Sequence, residues 1–484
     1  MDWKHNVSLF IFSAIYLLLI CYCFTKGFSV ILLAPIVLAV FLAAIFRFHY
    51  LLYAVIILTP FSISLSELGF SNLGLDIAFP TEPILFGLMV MTIWKISYDF
   101  SSFKPIVKHP ITLLVLLYLF WILITSSTST MPIVSFKFFL TRMWYVFPLL
   151  FMGVLLFRKP NSISYFVLLY TVPLSVVILY TILKHANYFF DKHSAHYMMS
   201  PFFNDHTSYG AVIAFFLPFN VAFFLIHKNH FIRVLLICLI SILTIGLILS
   251  FTRAAWISLL LAVIIVMILK LKINRKLLFF VPLISLFSLL LFSGPILSML
   301  EQNKQDSSDN LIEHVTSISN ISTDASNMER INRWKCALNM FYEKPFFGWG
   351  PGTYQFQYGS FQLSQDRTII SSNSGDMGNA HSEYLGALSE TGLLGFLSFL
   401  ILCFATVIRA INMYYESNSP THSTWLLAII TSLISYFIHG VFNNFIDTDK
   451  MSVALWCVVA IVISFDLFNN KNNEHDSNFE NNFS

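Results

Sequence analysis

A histidine standing immediately before an apolar helix, His381, is the residue of this chain best placed to move a proton. It sits near the start of the stretch NAHSEYLGALSETGLLG, Asn379 to Gly395, where a long polar segment returns to apolar sequence. An imidazole with a reference pKa of about 6.5 can take the proton of a weak nucleophile, such as a sugar hydroxyl, near neutral pH. A lone histidine at a helix start also serves as a structural hydrogen-bonding residue, so the surrounding pattern has to decide. Ser382 follows directly as possible support for the imidazole, while Glu390 stands nine residues on. On a helix rising 1.5 Å per residue that is about 13 Å further along, too far to orient the ring. Glu390 therefore reads first as a structural partner, for instance of an arginine, with support of the site as the alternative, and Gly392 and Gly395 read as places of close helix approach.

Cations gather where helices should leave the membrane on the same side. Lys137 and Arg142 lie in SFKFFLTRMWY from Ser135, Arg253 in SFTRAAW from Ser250, and Arg330 and Arg333 in ERINRW from Glu329. Either these side chains snorkel or pair with Glu329, Glu383 or Glu390, or they hold an anionic ligand. Phosphate oxygens suit the second reading, because the guanidinium fork binds them two at a time. His206, in the segment NDHT, is a further candidate for a base or a sugar contact. The aromatic residues Trp349, Tyr354, Phe356 and Tyr358 would either stack on sugar faces or pack the loop. The turn with Asn443, Asp447 and Asp449 either completes an outer pocket or is solvated.

The elements that must position these residues follow from hydropathy. The 484 residues are 57% hydrophobic and 11% charged, with mean hydropathy +0.74 and 51 Phe. That composition belongs to an integral membrane protein. A spanning helix needs roughly 20 apolar residues. Such stretches fall at 7–24, 28–46, 49–62, 82–97, 111–127, 139–157, 162–183, 209–226, 233–250, 255–270, 277–297, 383–410, 424–443 and 451–466. The expected fold is an all-α polytopic bundle of about 12–14 transmembrane helices with one large loop that contains short helices.

The basic residues Arg158, Lys159, Lys228, Arg233, Lys270, Lys272, Arg275 and Lys276 fall on one side if the N-terminus is cytoplasmic. The positive-inside bias then puts 184–208, 298–380 and 443–450 outside. No cleavable signal pattern follows the first apolar stretch. The chain divides into N-terminal helices (1–297), the large outer loop (298–382), C-terminal helices (383–468) and a disordered cytoplasmic tail (469–484). Within the loop, 301–310 reads as mobile. Residues 328–342 read as an amphipathic helix, with Ile331, Trp334, Ala337, Leu338 and Phe341 on its apolar face.

Several function classes are excluded or disfavoured. There is no Walker or Rossmann glycine loop and no zinc-ligand or disulfide spacing, so neither metal nor cofactor is expected. No acidic residue falls in the middle of an apolar span, which disfavours an ion-coupled transporter. Membrane lipids are expected partners and nucleic acid is not.

Four elements together carry a family resemblance. His381-Ser382, nine residues and then Gly392-Leu393-Leu394-Gly395 resembles the signature of the O-antigen ligase family and its polymerase relatives. Arg330 four residues before Trp334, followed by ALNM and PFFGWGPG, is similar to that family's outer-loop pattern. SFTRAAW resembles its arginine-bearing segment between two helices, and FFNDHTSYG from Phe202 resembles an earlier loop-to-helix element. The resemblance covers roughly 200–395 and implies an inverting, metal-independent glycosyltransferase of the bacterial inner membrane with its site on the periplasmic face. It implies a donor glycan on undecaprenyl diphosphate and a lipid A-core acceptor hydroxyl. His381 would be the base, Arg253 and Arg330 would hold the diphosphate, and Arg142 and Arg333 would assist. A polysaccharide polymerase and a protein O-oligosaccharyltransferase share these features. A lipid-linked glycan flippase is the rival from another class.

Overall fold

The computed structural model describes residues 48–67, 77–159, 161–271, 325–364, 371 and 378–480. Contacts divide the chain into Met1–Leu52 and Tyr53–Ser484. Only 48–52 of the first unit are described, in helical conformation; the site lies in the second.

The protein is an all-α polytopic membrane protein. Among the described residues nine helices are long and apolar enough to cross a membrane: Pro110–Ser127, Pro132–Phe157, Ser162–Ala186, His206–Ile226, His230–Leu249, Arg253–Lys270, Glu383–Glu416, Pro420–His439 and Asp449–Phe468. Thr81–Tyr98 and Phe100–Val107, bent by 105°, add a tenth if they count as one span. These ten meet the sequence stretches from 82–97 onward, apart from 277–297, which lies outside the described residues together with 7–24 and 28–46. The stretch 49–62 is a shorter apolar helix, Phe48–Phe61. The last helix continues along the backbone to Glu480.

Local chemistry sets the helix starts. Asp205 caps His206–Ile226 by accepting the N–H groups of Thr207 and Ser208, each at 2.7 Å. Proline occupies the first turn at Pro110, Pro132 and Pro420, where its missing N–H costs nothing. A two-residue antiparallel pair, Ile63 to Phe79 and Ser64 to Ala78, closes the connection before Thr81–Tyr98.

Long-range bonds gather one set of helix ends. Glu383 N–H donates to the Gly440 carbonyl (2.8 Å), Thr130 N–H to Trp349 O (3.0 Å) and Thr252 Oγ1 to His206 O (2.8 Å). At the opposite end Arg409 Nε donates to Asp466 Oδ2 (2.6 Å), which also lies 2.9 Å from His109 Nε2. Helix direction puts Lys108, Arg158, Lys228, Arg233 and Lys270 at this second end, away from His381.

The helix Glu383–Glu416 is broken at Gly392, whose φ of 68° and ψ of −172° lie in a region essentially restricted to glycine. The sequence reading of Gly392 as a packing residue is thus incomplete, because the backbone itself requires it. Interrupting a helix strands carbonyls, and each must find a donor when buried. Trp349 N–H bonds Ser389 O at 3.1 Å, Gly350 N–H bonds Glu390 O at 2.8 Å, and Trp121 Nε1 bonds Thr391 O at 2.8 Å. Leu393 N–H in turn donates to Pro345 O at 2.9 Å. The PFFGWG turn is therefore the cap of a broken helix. A Cβ on Gly392 would meet Phe346 O at 2.2 Å, and one on Gly348 would meet the Glu390 carbonyl at 2.4 Å. Gly392→Ala should cost at least 1–3 kcal/mol, roughly the price of that backbone region alone. Thermal unfolding in detergent checks this against Gly386→Ala, whose Cβ would find only Ala380 Cβ at 3.7 Å.

The loop helix runs from Ala325 to Glu343, with its stripe turned from the expected one. Its buried residues are Glu329, Asn332, Arg333, Cys336, Ala337 and Met340, and only Ala337 belongs to the predicted face. Cys336, Ala337 and Met340 form a small core with Tyr354, Tyr358 and Ala380. Ile331, Trp334, Leu338 and Phe341 are half-buried. Periodicity finds the most apolar face, but this helix buries the face that meets the loop's own tyrosines.

Candidate functional site

His381 is held in the left-handed region at φ 47°, uncommon for a residue other than glycine. Both of its backbone groups are engaged. Its N–H donates to Asn379 Oδ1 at 3.0 Å, and its carbonyl accepts from Trp334 Nε1 at 3.3 Å. Ser382 Oγ then caps the helix by accepting Leu385 N–H at 3.3 Å. Burial pushes the His381 imidazole down to about 4, and the positive charges of Arg330 and Arg333 add to this against Asp205 and Glu329. A ring so placed is neutral at pH 7 and able to accept a proton.

Arg330 lies within electrostatic range of three imidazoles, His381, His206 and His439. His206 stacks flat on His196 with centroids 4.1 Å apart. Arg253 opens its helix directly after Thr252, the residue bonded to the His206 carbonyl. The backbone of Ala254 lies beside the His439 ring. Sequence elements about 50, 130 and 175 residues before His381, and about 60 after it, are thus brought together with Arg330.

The other two arginines carry partners of their own. Arg333 Nε donates to Glu329 Oε1 at 2.6 Å, and its guanidinium lies 3.9 Å from the Tyr358 ring centroid. Arg142 bonds the Ile446 carbonyl at 2.6 Å and pairs with Asp447. For these two, the pairing alternative is realised: Arg333 takes Glu329, one of the expected partners, while Arg142 takes Asp447 in place of Glu383 or Glu390.

Beside His381 opens a cavity of about 590 Å³. Among the described residues its wall includes the flanking Ala380 and Ser382, with Asp205, Glu390, Tyr354 and Arg142, while His381, Arg253, Arg330 and Arg333 are off it. Glu390, eight N–H and C=O positions into the half-helix from Ser382, accepts Tyr354 N–H at 2.9 Å. Glu383 Oε1 accepts Tyr436 Oη (2.6 Å) and the N–H groups of Phe445 (2.7 Å) and Ile446 (2.9 Å). That fixes the 443–450 turn against the helix start. Asp447 and Asp449 of this turn line the cavity, and Asn443 bonds His439 at 3.2 Å. Of the loop aromatics, Tyr354 and Tyr358 stack on each other in the buried core. Packing explains both.

Sequence reasoning missed Asp205, His439, Glu82 and Lys450. Asp205 stands one residue before His206 and was overshadowed by it. Glu82 begins an apolar helix and is buried against Tyr145. His439 gives no local signal beyond its place before Gly440. No curated protein matches the chain. Residues 236–400, about a third of the chain, match a family model described as O-antigen ligase. The matched segment holds the Arg253 turn, Arg330, the helix-capping PFFGWG turn, His381 and the Gly392 break, and the match supports the chain's membership of the O-antigen ligase superfamily, with a ligase- or polymerase-type function.

Proposed function

We propose that the protein transfers a glycan from undecaprenyl diphosphate to a hydroxyl of a lipid A-core acceptor, on the periplasmic face of the bacterial inner membrane. The observation that carries this reading is a neutral, left-handed His381 under the field of Arg330, next to a cavity large enough for a small ligand. His381 takes the proton of the acceptor hydroxyl as its oxygen attacks the anomeric carbon. The bond from that carbon to the diphosphate oxygen breaks, and undecaprenyl diphosphate leaves with the electron pair. Negative charge collects on the phosphate, where Arg330 and Arg253 stabilise it. Metal independence follows from the family resemblance. The periplasmic placement is supported by the Lys and Arg turns at the end of the bundle opposite His381.

The test is transfer from undecaprenyl-diphosphate glycan to separately supplied lipid A-core, without metal or nucleotide, by the purified protein. Product on the core is expected. Longer lipid-linked chains with no core product would make the protein a polymerase, and glycan on an added protein an O-oligosaccharyltransferase. No transfer to any acceptor would sink the enzyme reading and favour the flippase.

A further inference from the structure

We infer that the cavity beside His381 is a sugar subsite, built for a hydroxyl-rich neutral or amine-bearing glycan and against phosphate; this deepens the transfer reading and rests on it. Among the described residues its wall carries six carboxyl groups, Glu82, Asp205, Glu383, Glu390, Asp447 and Asp449. The two cations on the same wall among the described residues are already matched. Arg142 pairs with Asp447, and Lys450 Nζ lies 3.3 Å from Asp449 Oδ1 while donating to Ser62 Oγ at 2.9 Å. Acidic groups still outnumber the cations on the described wall, so it offers little net positive charge to an anionic phosphate. Hydroxyl and ammonium groups are the donors that carboxylates accept.

The unfilled hydrogen-bonding capacity points the same way. Arg142 is only 5% exposed, yet among the described residues its Nε has no acceptor. On the same wall Asn444 Oδ1 is buried, again without a donor among the described residues. The hydrogen bonds of Glu383 among the described residues all fall on Oε1, which leaves Oε2 open. A sugar hydroxyl donates and accepts, so one glycan can satisfy both kinds of group. A fully ionised phosphate only accepts, and could satisfy Arg142 alone. Phosphate recognition is thereby left to Arg330 and Arg253, off this wall, with His381 standing between the two regions by its flanking residues Ala380 and Ser382.

Two variants test the assignment. Glu390→Gln keeps an oxygen for Tyr354 N–H while replacing the carboxyl by an amide that cannot ionise, and Gly386→Leu fills the cavity from a wall position with room for a Cβ. Binding of undecaprenyl diphosphate without a glycan is measured beside binding of the glycan-bearing donor and the acceptor KM. The expected result is unchanged affinity for the bare lipid diphosphate. The glycan-dependent margin of donor binding, or the acceptor KM, should worsen roughly tenfold in Glu390→Gln, and Gly386→Leu should do the same or more. A change confined to the margin places the donor's sugar in the cavity, and one confined to the KM places the acceptor's. A tenfold loss of bare lipid-diphosphate affinity, or no movement in margin and KM, overturns the subsite. Were the native protein to transfer nothing, the transfer reading would fall while the binding margin still tested the cavity.

Discussion

His381→Asn should lower glycan transfer by roughly 10²–10⁴-fold, the usual contribution of a positioned general base, while leaving the protein folded. The choice of asparagine follows from the backbone. At φ 47° a residue with a Cβ is strained, and asparagine is among the few that enter this region readily. The bonds that hold the position, to Asn379 Oδ1 and from Trp334 Nε1, use only backbone atoms of residue 381 and survive the change. Thermal unfolding should therefore stay within about 0.5 kcal/mol of the native protein, as for substitutions that disturb no packing. His381→Ala should lose transfer equally and unfold at a lower temperature than the asparagine variant, because alanine enters the left-handed region less readily than asparagine or histidine. Donor binding by the Asn variant should be retained, since the imidazole is neutral and the phosphate contacts lie elsewhere. Transfer within tenfold of native would remove His381 from the role of base.

Much of this architecture is legible in the chain because membrane helices are written locally. Twenty apolar residues need no partner to be recognised, and every stretch from 82–97 onward that falls on described residues has its helix. The resemblance also drew Arg253, Arg330, His206 and His381 together although they are distant in sequence. What stayed hidden depends on a partner elsewhere. Gly392 looks like an ordinary small residue in an apolar helix, and only the docking of Trp349 and Gly350 on the carbonyls of Ser389 and Glu390 reveals a break. Arg142 looked like a phosphate ligand because its counter-charge, Asp447, is about 300 residues away and could be matched to it only in three dimensions. For Arg333 and Glu329 the i,i+4 spacing was a usable signal. The carboxylates around the cavity are the clearest case. Glu82 and Asp449 are some 370 residues apart, and no spacing in the sequence predicts that they share a wall.

Arg330→Gln should lower transfer by roughly 10²–10³-fold, about 2.7–4 kcal/mol, the cost of removing one donor from comparable electrostatic sites. Arg330→Lys should recover only part of this, because a point charge replaces the fork that holds two phosphate oxygens. A second readout separates Arg330 from an arginine that only binds. Burial and then the Arg330 charge hold the His381 imidazole at about 4. A base works in its unprotonated form, so the native kcat/KM should fall only as pH drops through about 4. Removing the Arg330 charge makes the imidazolium less costly, raises the His381 pKa and moves this acid limb to higher pH. The same displacement should appear in kcat of the native protein relative to its kcat/KM, because a bound diphosphate neutralises Arg330 in place. The leaving lipid would then enhance the basicity of the group that initiates its departure. Arg253→Gln should reduce transfer on a similar scale and leave the limb of kcat/KM where it is. If Arg330→Gln lowers transfer with no movement of that limb, the electrostatic link between Arg330 and His381 is wrong, and Arg330 acts on the phosphate alone.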